Sequence, residues 1–186
     1  MKTLVIYSSK TGFVRKYAEW IAEELRADLF PADRTHKSIF RSYDTIIYGG
    51  GLYAGGINGI GLIKKSLSEL EGKKVIVYAS GASPWSEKVL NEVRDKNFTA
   101  EEQKKIKFFY LRGGFDLTKL GFFDRFLMKL LKMKIMSKKK KGIRLDGDET
   151  GMIKAMEKPV DFTKKENIKE LVDRAKKLLF PDEYKY

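Results

Sequence analysis

Five short apolar runs, each followed by a stretch of different periodicity, limit what this chain can fold into. They are TLVIY (Thr3 to Tyr7), ADLF before Pro31, DTIIYGG, KKVIVYAS and KFFYL. Runs of this kind alternating with helical patterns predict β-α-β units around a parallel sheet. DTIIYGG and KKVIVYAS are apolar throughout rather than alternating, as strands covered on both faces are. ADLF is short and reads as an outer strand. Between the runs, Val14 to Arg26 carries Tyr17, Ala18, Ile21, Ala22 and Leu25 on one helical stripe, and Ile60, Ile63, Leu67 and Leu70 mark a second helix. Trp85 to Lys96 reads as a third helix, and Thr99 followed by Glu102 is a capping box opening AEEQKKI. Thr163 followed by Glu166 repeats that pattern before a last helix, with Ile168, Leu171, Val172, Ala175 and Leu178 on its apolar face and Pro181 at its end.

The 186 residues are most economically one domain, and 42% hydrophobic residues suffice for a core. The absence of cysteine excludes disulfides, thiolate metal sites and thiol nucleophiles. The opening MKTLVIYSSK is too short in apolar residues for a signal sequence or a membrane span, so a cytoplasmic protein is expected. Between the fifth strand and the last helix lies Gly113 to Phe162, too long for an ordinary connection and read as an insertion. It also holds most of the charge. Leu120 to Arg144 contains nine basic residues and one acid, so it supplies eight of the thirteen net positive charges. The signal for an anionic partner is therefore local.

The strand ends carry the functional signal, because an open parallel sheet binds ligands at its carboxyl edge. The first strand runs into SSKTG, whose glycine, free amides and hydroxyls (Ser8, Ser9, Thr11) lie where a helix begins and suit an anion. It matches neither the G-x-x-x-x-G-K-[ST] loop nor G-x-G-x-x-G. The third strand ends in GGGLYAGGINGIG and the fourth in ASGASPW. Three such loops can converge on one ligand with a phosphate and a flat ring, glycine admitting the ring edge and Tyr53 stacking on its face.

On IYSSKTGFV and these strand ends the chain resembles the flavodoxin-like family of FMN proteins. The resemblance implies an α/β three-layer sandwich around a five-stranded parallel sheet, order 2-1-3-4-5. It implies FMN as cofactor, its phosphate held by Ser9 and Thr11 and by the amides of Lys10, Gly12, Phe13 and Val14. Val14 stands where the family usually has threonine. Leu52, Tyr53, Ala54 and Gly55 would line the ring, Ser80, Gly81 and Ala82 its pyrimidine edge, with Gly113 and Gly114 bordering the site.

In the insertion, Phe122, Phe126, Leu130 and Met133 or Lys134 fall at helical spacing with Leu127 and Leu131 beside them, predicting a helix with one apolar stripe and a basic flank. Such a helix suits either an anionic membrane surface or packing on the domain with solvated lysines. FFDRFLMKLLKMK resembles the characteristic segment of the menaquinone-dependent protoporphyrinogen oxidases, a flavodoxin-like branch. That implies a porphyrinogen or related small-molecule reductant, FMN, and a membrane quinone as acceptor. SKKKKGIRLDGDETGMIKAMEKPVDF is longer and more basic than that family's pattern.

The leading expectation is an FMN-dependent oxidoreductase, cytoplasmic or peripheral at the inner face of the cell membrane. An electron carrier for a protein partner is the alternative, against which the basic charge counts. A nucleic-acid-binding module ranks below both, since Phe122, Phe123 and Phe126 are expected to be buried by the helix rather than displayed for base stacking. His36 reads as a solvated loop residue. No acid, base or metal cluster stands out, and DGDE (Asp146 to Glu149) lacks the rest of a calcium loop.

Overall fold

The computed structural model describes residues 2–145 and 147–177. Strand β1 (Thr3–Ser8) leads into α1 (Phe13–Leu25), β2 (Asp28–Pro31) and, after a 3-10 turn at Lys37–Ser42, β3 (Thr45–Tyr53). There follow β4 (Gly56–Ile57), α2 (Gly61–Lys64), β5 (Lys74–Gly81), α3 (Glu87–Asn97), α4 (Ala100–Lys105) and β6 (Ile106–Arg112). The five long strands are parallel in the order β2-β1-β3-β5-β6, the order expected from the resemblance once the small antiparallel β4 is added to the count.

Alternation along the strands divides the core in two. Leu4, Ile6, Ile46, Tyr48, Val75, Val77, Phe108 and Tyr110 point to one face, where Ile63, Leu67, Leu70 and Val93 cover them. Val5, Ile47, Ile76, Tyr78, Phe109 and Leu111 point to the other, under Tyr17, Ala18 and Ile21 of α1 and Leu171, Val172 and Ala175 of α7 (Lys169–Lys177). Each fully buried aliphatic side chain contributes about 1.5–3 kcal/mol, which explains why these strands carry no polar alternation. Gly49 is in β3 because a Cβ there would overlap the Tyr78 ring on the neighbouring strand.

Several local expectations are corrected. The α2 helix is one short stretch, not a run to Leu70. Beyond Lys64 the amides of Ser66, Leu67 and Glu69 bond three residues back, and the Ser66 hydroxyl donates to Leu62 O, so the turns tighten while Leu67 and Leu70 stay buried. Trp85 lies outside α3, whose N-cap is Ser86. Thr99 and Glu102 form the expected capping box. Thr163 does not form one: its amide and hydroxyl both donate to Asp161 Oδ1 (2.8 and 2.6 Å), and a 3-10 turn at Lys165–Ile168 precedes α7. Leu178 and Pro181 lie outside the described residues.

The segment after β6 opens with β7 (Gly114–Phe115), forms α5 (Phe122–Lys140) and α6 (Gly147–Glu157), and returns through β8 (Val160–Asp161), which pairs antiparallel with β7. Lys138 and Glu149 tie the two helices together at 2.6 Å. The orientation of α5 corrects the expected burial of its phenylalanines: Phe122, Phe123 and Phe126 are 89, 69 and 51% exposed, with Leu130 and Met133 also outward. Met128 and Leu131 line a cavity instead, Leu127 borders it while still 37% exposed, and Ile135 is buried. Both sides of this helix are apolar, so periodicity identifies a helix without choosing its inner side. No helix among the described residues is long and apolar enough to cross a membrane.

Candidate functional site

The carboxyl edge of the sheet opens into a cavity of about 1000 Å³, at the upper end of the range for small-molecule and cofactor sites. Three strand ends shape one half of it. After β1, Gly12 takes φ +93°, a conformation that favours glycine, and starts α1 without a side-chain cap and without an acid in the first turn. The positive end of a 13-residue helix is thus presented with no built-in negative partner. Ser9 Oγ accepts from the Gly12 amide at 3.1 Å and closes this loop on itself.

After β3, Ala54 (φ 48°) and Gly55 (φ 77°) turn the chain back into β4. Consecutive left-handed residues make the tight turn whose twist suits a hairpin. Asn97, buried at the end of α3, fastens it: Oδ1 accepts from Ile57 N at 2.8 Å, and Nδ2 donates to Gly55 O at 2.9 Å and Val93 O at 2.8 Å. Lys96 Nζ donates to Ala54 O at 2.8 Å. At the end of β5, Ser80 is 6% exposed and its hydroxyl has no partner among the described residues. A buried hydroxyl left this way calls for a missing ligand or water.

The second half of the cavity comes from the segment after β6. Leu120, Leu127, Met128 and Leu131 meet Gly147, Gly151 and Ala155 of α6 to roof it, with Phe115, Val160 and Phe162 at its side. Asp124 joins the halves: Lys10 Nζ lies 2.7 Å from its Oδ2 and 4.6 Å from the centre of the Tyr53 ring, and the Tyr53 phenol neighbours the same carboxylate. The Lys10 hydrogen bond leads in holding the Asp124 carboxyl below its ordinary range. Burial, then the neighbouring Asp124, raises the Tyr53 phenol.

Of the residues expected from sequence, Lys10, Thr11, Phe13, Val14, Leu52, Tyr53, Ala54, Gly55, Ser80, Gly81, Ala82 and Gly114 line this cavity. Ser9 and Gly12 shape the loop at its edge, while Gly113 packs behind it, a Cβ there overlapping Ser80 Oγ. His36 is exposed in a loop. Asp146 of the DGDE stretch is outside the described residues, and no group of carboxylates or histidines among the described residues suits a metal. Sequence reasoning missed Arg112, Tyr110, the whole α5–α6 roof and Asn97. A buried asparagine at a helix end and an arginine at a strand end have no sequence signature.

A family sequence pattern described as "Flavodoxin domain" matches residues 4–142, about three quarters of the chain. The chain belongs to the flavodoxin-domain family. FMN is the cofactor of that family, and this chain is a flavoprotein. An uncharacterised protein of Methanocaldococcus jannaschii is 32% identical over 100 residues, 52% of this chain and 65% of the relative. The chain therefore spans less than two thirds of that relative's length. Among solved structures, oxidised flavodoxin 2 from Bacillus cereus matches at 20% identity with TM-score 0.41, over 60% of this chain and 86% of its own. A WrbA-like flavodoxin protein from Agrobacterium tumefaciens matches at 17% identity with TM-score 0.41, over 67% and 87%. The site fits a flavin nucleotide on three counts: an uncapped helix N-terminus for phosphate, the partnerless Ser80 hydroxyl, and a cavity with an aromatic wall at Tyr53.

Proposed function

We propose that this flavoprotein is an FMN-dependent oxidoreductase that carries electrons from a bulky, largely apolar small-molecule reductant of the porphyrinogen type to a quinone at an anionic membrane surface. The observation that carries this reading is the reach of the cavity, which continues from the three loops beneath α5 and α6. A carrier needs its redox group near a partner protein; a roofed apolar compartment beside that group suits a small reactant that must be kept from water.

In this reading the Thr11 hydroxyl and the amides of Lys10, Gly12, Phe13 and Val14 hold the FMN phosphate, Ser9 fixing the loop through Gly12. Leu52, Tyr53, Ala54 and Gly55 cover the ring, and Ser80 with the Gly81 and Ala82 amides meets its polar edge. Bound FMN supplies the redox chemistry, accepting electrons from one reactant and delivering them to another. Met128 and Leu131 limit the access of water to the adjoining compartment. The outward row Phe122, Phe126, Leu130 and Met133 lies amid Lys129, Lys132 and Lys134, apolar residues for the acyl boundary and cations for anionic headgroups.

Gly151 allows a direct test. A Cβ built there meets nothing within 4 Å, so Gly151→Phe adds a side chain to the cavity lining from a position where its first atom clashes with nothing. The variant is expected to bind oxidised FMN as the unaltered protein does and to lose at least tenfold in turnover of protoporphyrinogen with a quinone acceptor. No turnover by the unaltered protein, or equal turnover by the variant, would refute the substrate compartment. The carrier reading would then stand, favoured by the 59% exposed Trp85, next to Ser83 and Pro84 at the rim, as a contact for a protein partner. Sedimentation with phosphatidylglycerol vesicles should be lost in Phe122→Ser/Phe126→Ser; sedimentation unchanged by the double substitution would rule out the membrane role.

A further inference from the structure

The charges around the cavity are unevenly compensated. Lys10 is paired with Asp124 at 2.7 Å, Glu92 at the rim lies 3.8 Å from Lys88, and Lys154 is exposed. Arg112 differs. It ends β6 in register with Gly81, its carbonyl accepts the Tyr17 hydroxyl, and its half-buried side chain faces the cavity. Its Nε donates to Ala82 O at 3.3 Å, and its guanidinium lies 3.7 Å from the centre of the Phe162 ring. Among the described residues it forms no ion pair. A guanidinium stays charged at any working pH, and half-buried beside a cavity its field is screened less than at an open surface.

We propose that Arg112 sets the redox balance of this flavoprotein, its fixed charge favouring the reduced, anionic form of the flavin over the neutral oxidised form. The inference rests on FMN occupying the cavity and goes beyond the substrate reading. Two electrons and one proton added to the neutral ring leave it with one negative charge, both electrons coming from the small-molecule reductant. Arg112 is anchored at the Ala82 loop, on the side of the cavity assigned to the polar edge of the ring, and no carboxylate among the described residues cancels it. A cation in that place makes the flavin a better two-electron acceptor, as an oxidoreductase drawing on an organic reductant requires.

The test measures the affinity for oxidised FMN by fluorescence quenching, then the two-electron midpoint potential by equilibration with reference dyes, on the full chain. Arg112→Met is expected to weaken binding of reduced FMN relative to oxidised FMN at least tenfold, which for a two-electron couple lowers the midpoint by about 30 mV or more. Arg112→Lys, which keeps the charge without the planar stack, should stay within about threefold of the unaltered ratio. Phe162→Leu, which removes the stacking surface and keeps the guanidinium, should stay within about twofold. An unchanged ratio in Arg112→Met would overturn the proposal, as would an equal fall in Arg112→Lys or Phe162→Leu, since the stack rather than the charge would then be responsible. Should Arg112→Met fail to fold, Arg112→Gln replaces it and is judged by the same ratio. Failure of the unaltered protein to bind oxidised FMN would refute occupancy of the cavity itself, a result separate from any change in ratio. Turnover with protoporphyrinogen plays no part in this readout, so the substrate reading can fail while this one holds.

Discussion

Replacing Asn97 by alanine removes the fastening of the turn that presents Tyr53. The side chain makes three hydrogen bonds, and the one from Ile57 N matters most, because Ile57 is 4% exposed and water cannot substitute. A buried donor left unpaired costs about 1–3 kcal/mol, and a further ~1 kcal/mol follows from the lost bonds to Gly55 O and Val93 O. The sum is about 3 kcal/mol. For a chain of this size that lowers Tm by roughly 6–12 °C. In urea the midpoint should fall with the slope unchanged, as expected when stability but not compactness is altered. Lys96 still holds Ala54 O, so the turn should loosen rather than detach. Hydrogen exchange should then show the Ile57 amide unprotected while β3 and β5 keep their protection, and FMN should bind several-fold more weakly. A loss below about 1 kcal/mol, or an Ile57 amide that stays protected, would refute this account of the turn.

Gly49→Ala forces a methyl into the Tyr78 ring between two central strands and should cost about 1–3 kcal/mol in urea unfolding, or more, since both strands are fixed by their neighbours. Ser80→Ala removes a buried hydroxyl that lacks a partner, so the FMN-free protein should keep or gain up to about 1 kcal/mol of stability while FMN affinity falls, a divergence that calorimetry and fluorescence titration would expose. Asp124 has a depressed folded pKa, so its contribution is full above the ordinary aspartate value and disappears as pH falls through the depressed one. Exchange at the start of α5 should therefore rise below about pH 4, and Asp124→Asn should show raised exchange already at neutral pH with no such step; a step surviving in the variant would assign it to another group.

The sheet was legible because its strands are buried twice over. Val5, Ile47, Ile76 and Phe109 serve one layer while Leu4, Ile46, Val77 and Phe108 serve the other, and within these runs only the exposed Lys107 of the edge strand β6 breaks the pattern. The loops at the strand ends were legible for a related reason, since glycine and hydroxyl residues directly after such strands have little to do in a core. What escaped was decided by individual polar partners and by tertiary position, near or far in sequence. Thr163 looks like a cap until Asp161, two residues earlier, takes its amide and hydroxyl. Ser66 returns its hydroxyl to Leu62 O where the apolar spacing promised more helix. Phe122 and Phe126 share a helix with Met128 and Leu131, and only the position of the sheet edge determines which pair faces inward. Arg112 and Asn97 act through partners 30 to 42 positions away, separations that periodicity cannot reach.

The short ribbon of β7 and β8 has a consequence for how such a protein can change over time. Gly114 pairs with Asp161 and Phe115 with Val160, and Phe162 N donates to Gly113 O at 2.9 Å, so the segment that leaves after β6 returns beside its own starting point. A detour whose two feet stand side by side can be lengthened, shortened or exchanged without moving the strands. Closing a flexible loop of twice the length costs only about 0.6 kcal/mol more. Variation can therefore accumulate in the roof while the floor with its three loops is held constant, so that one electron-handling base can be refitted for different reactants by replacing the cover alone.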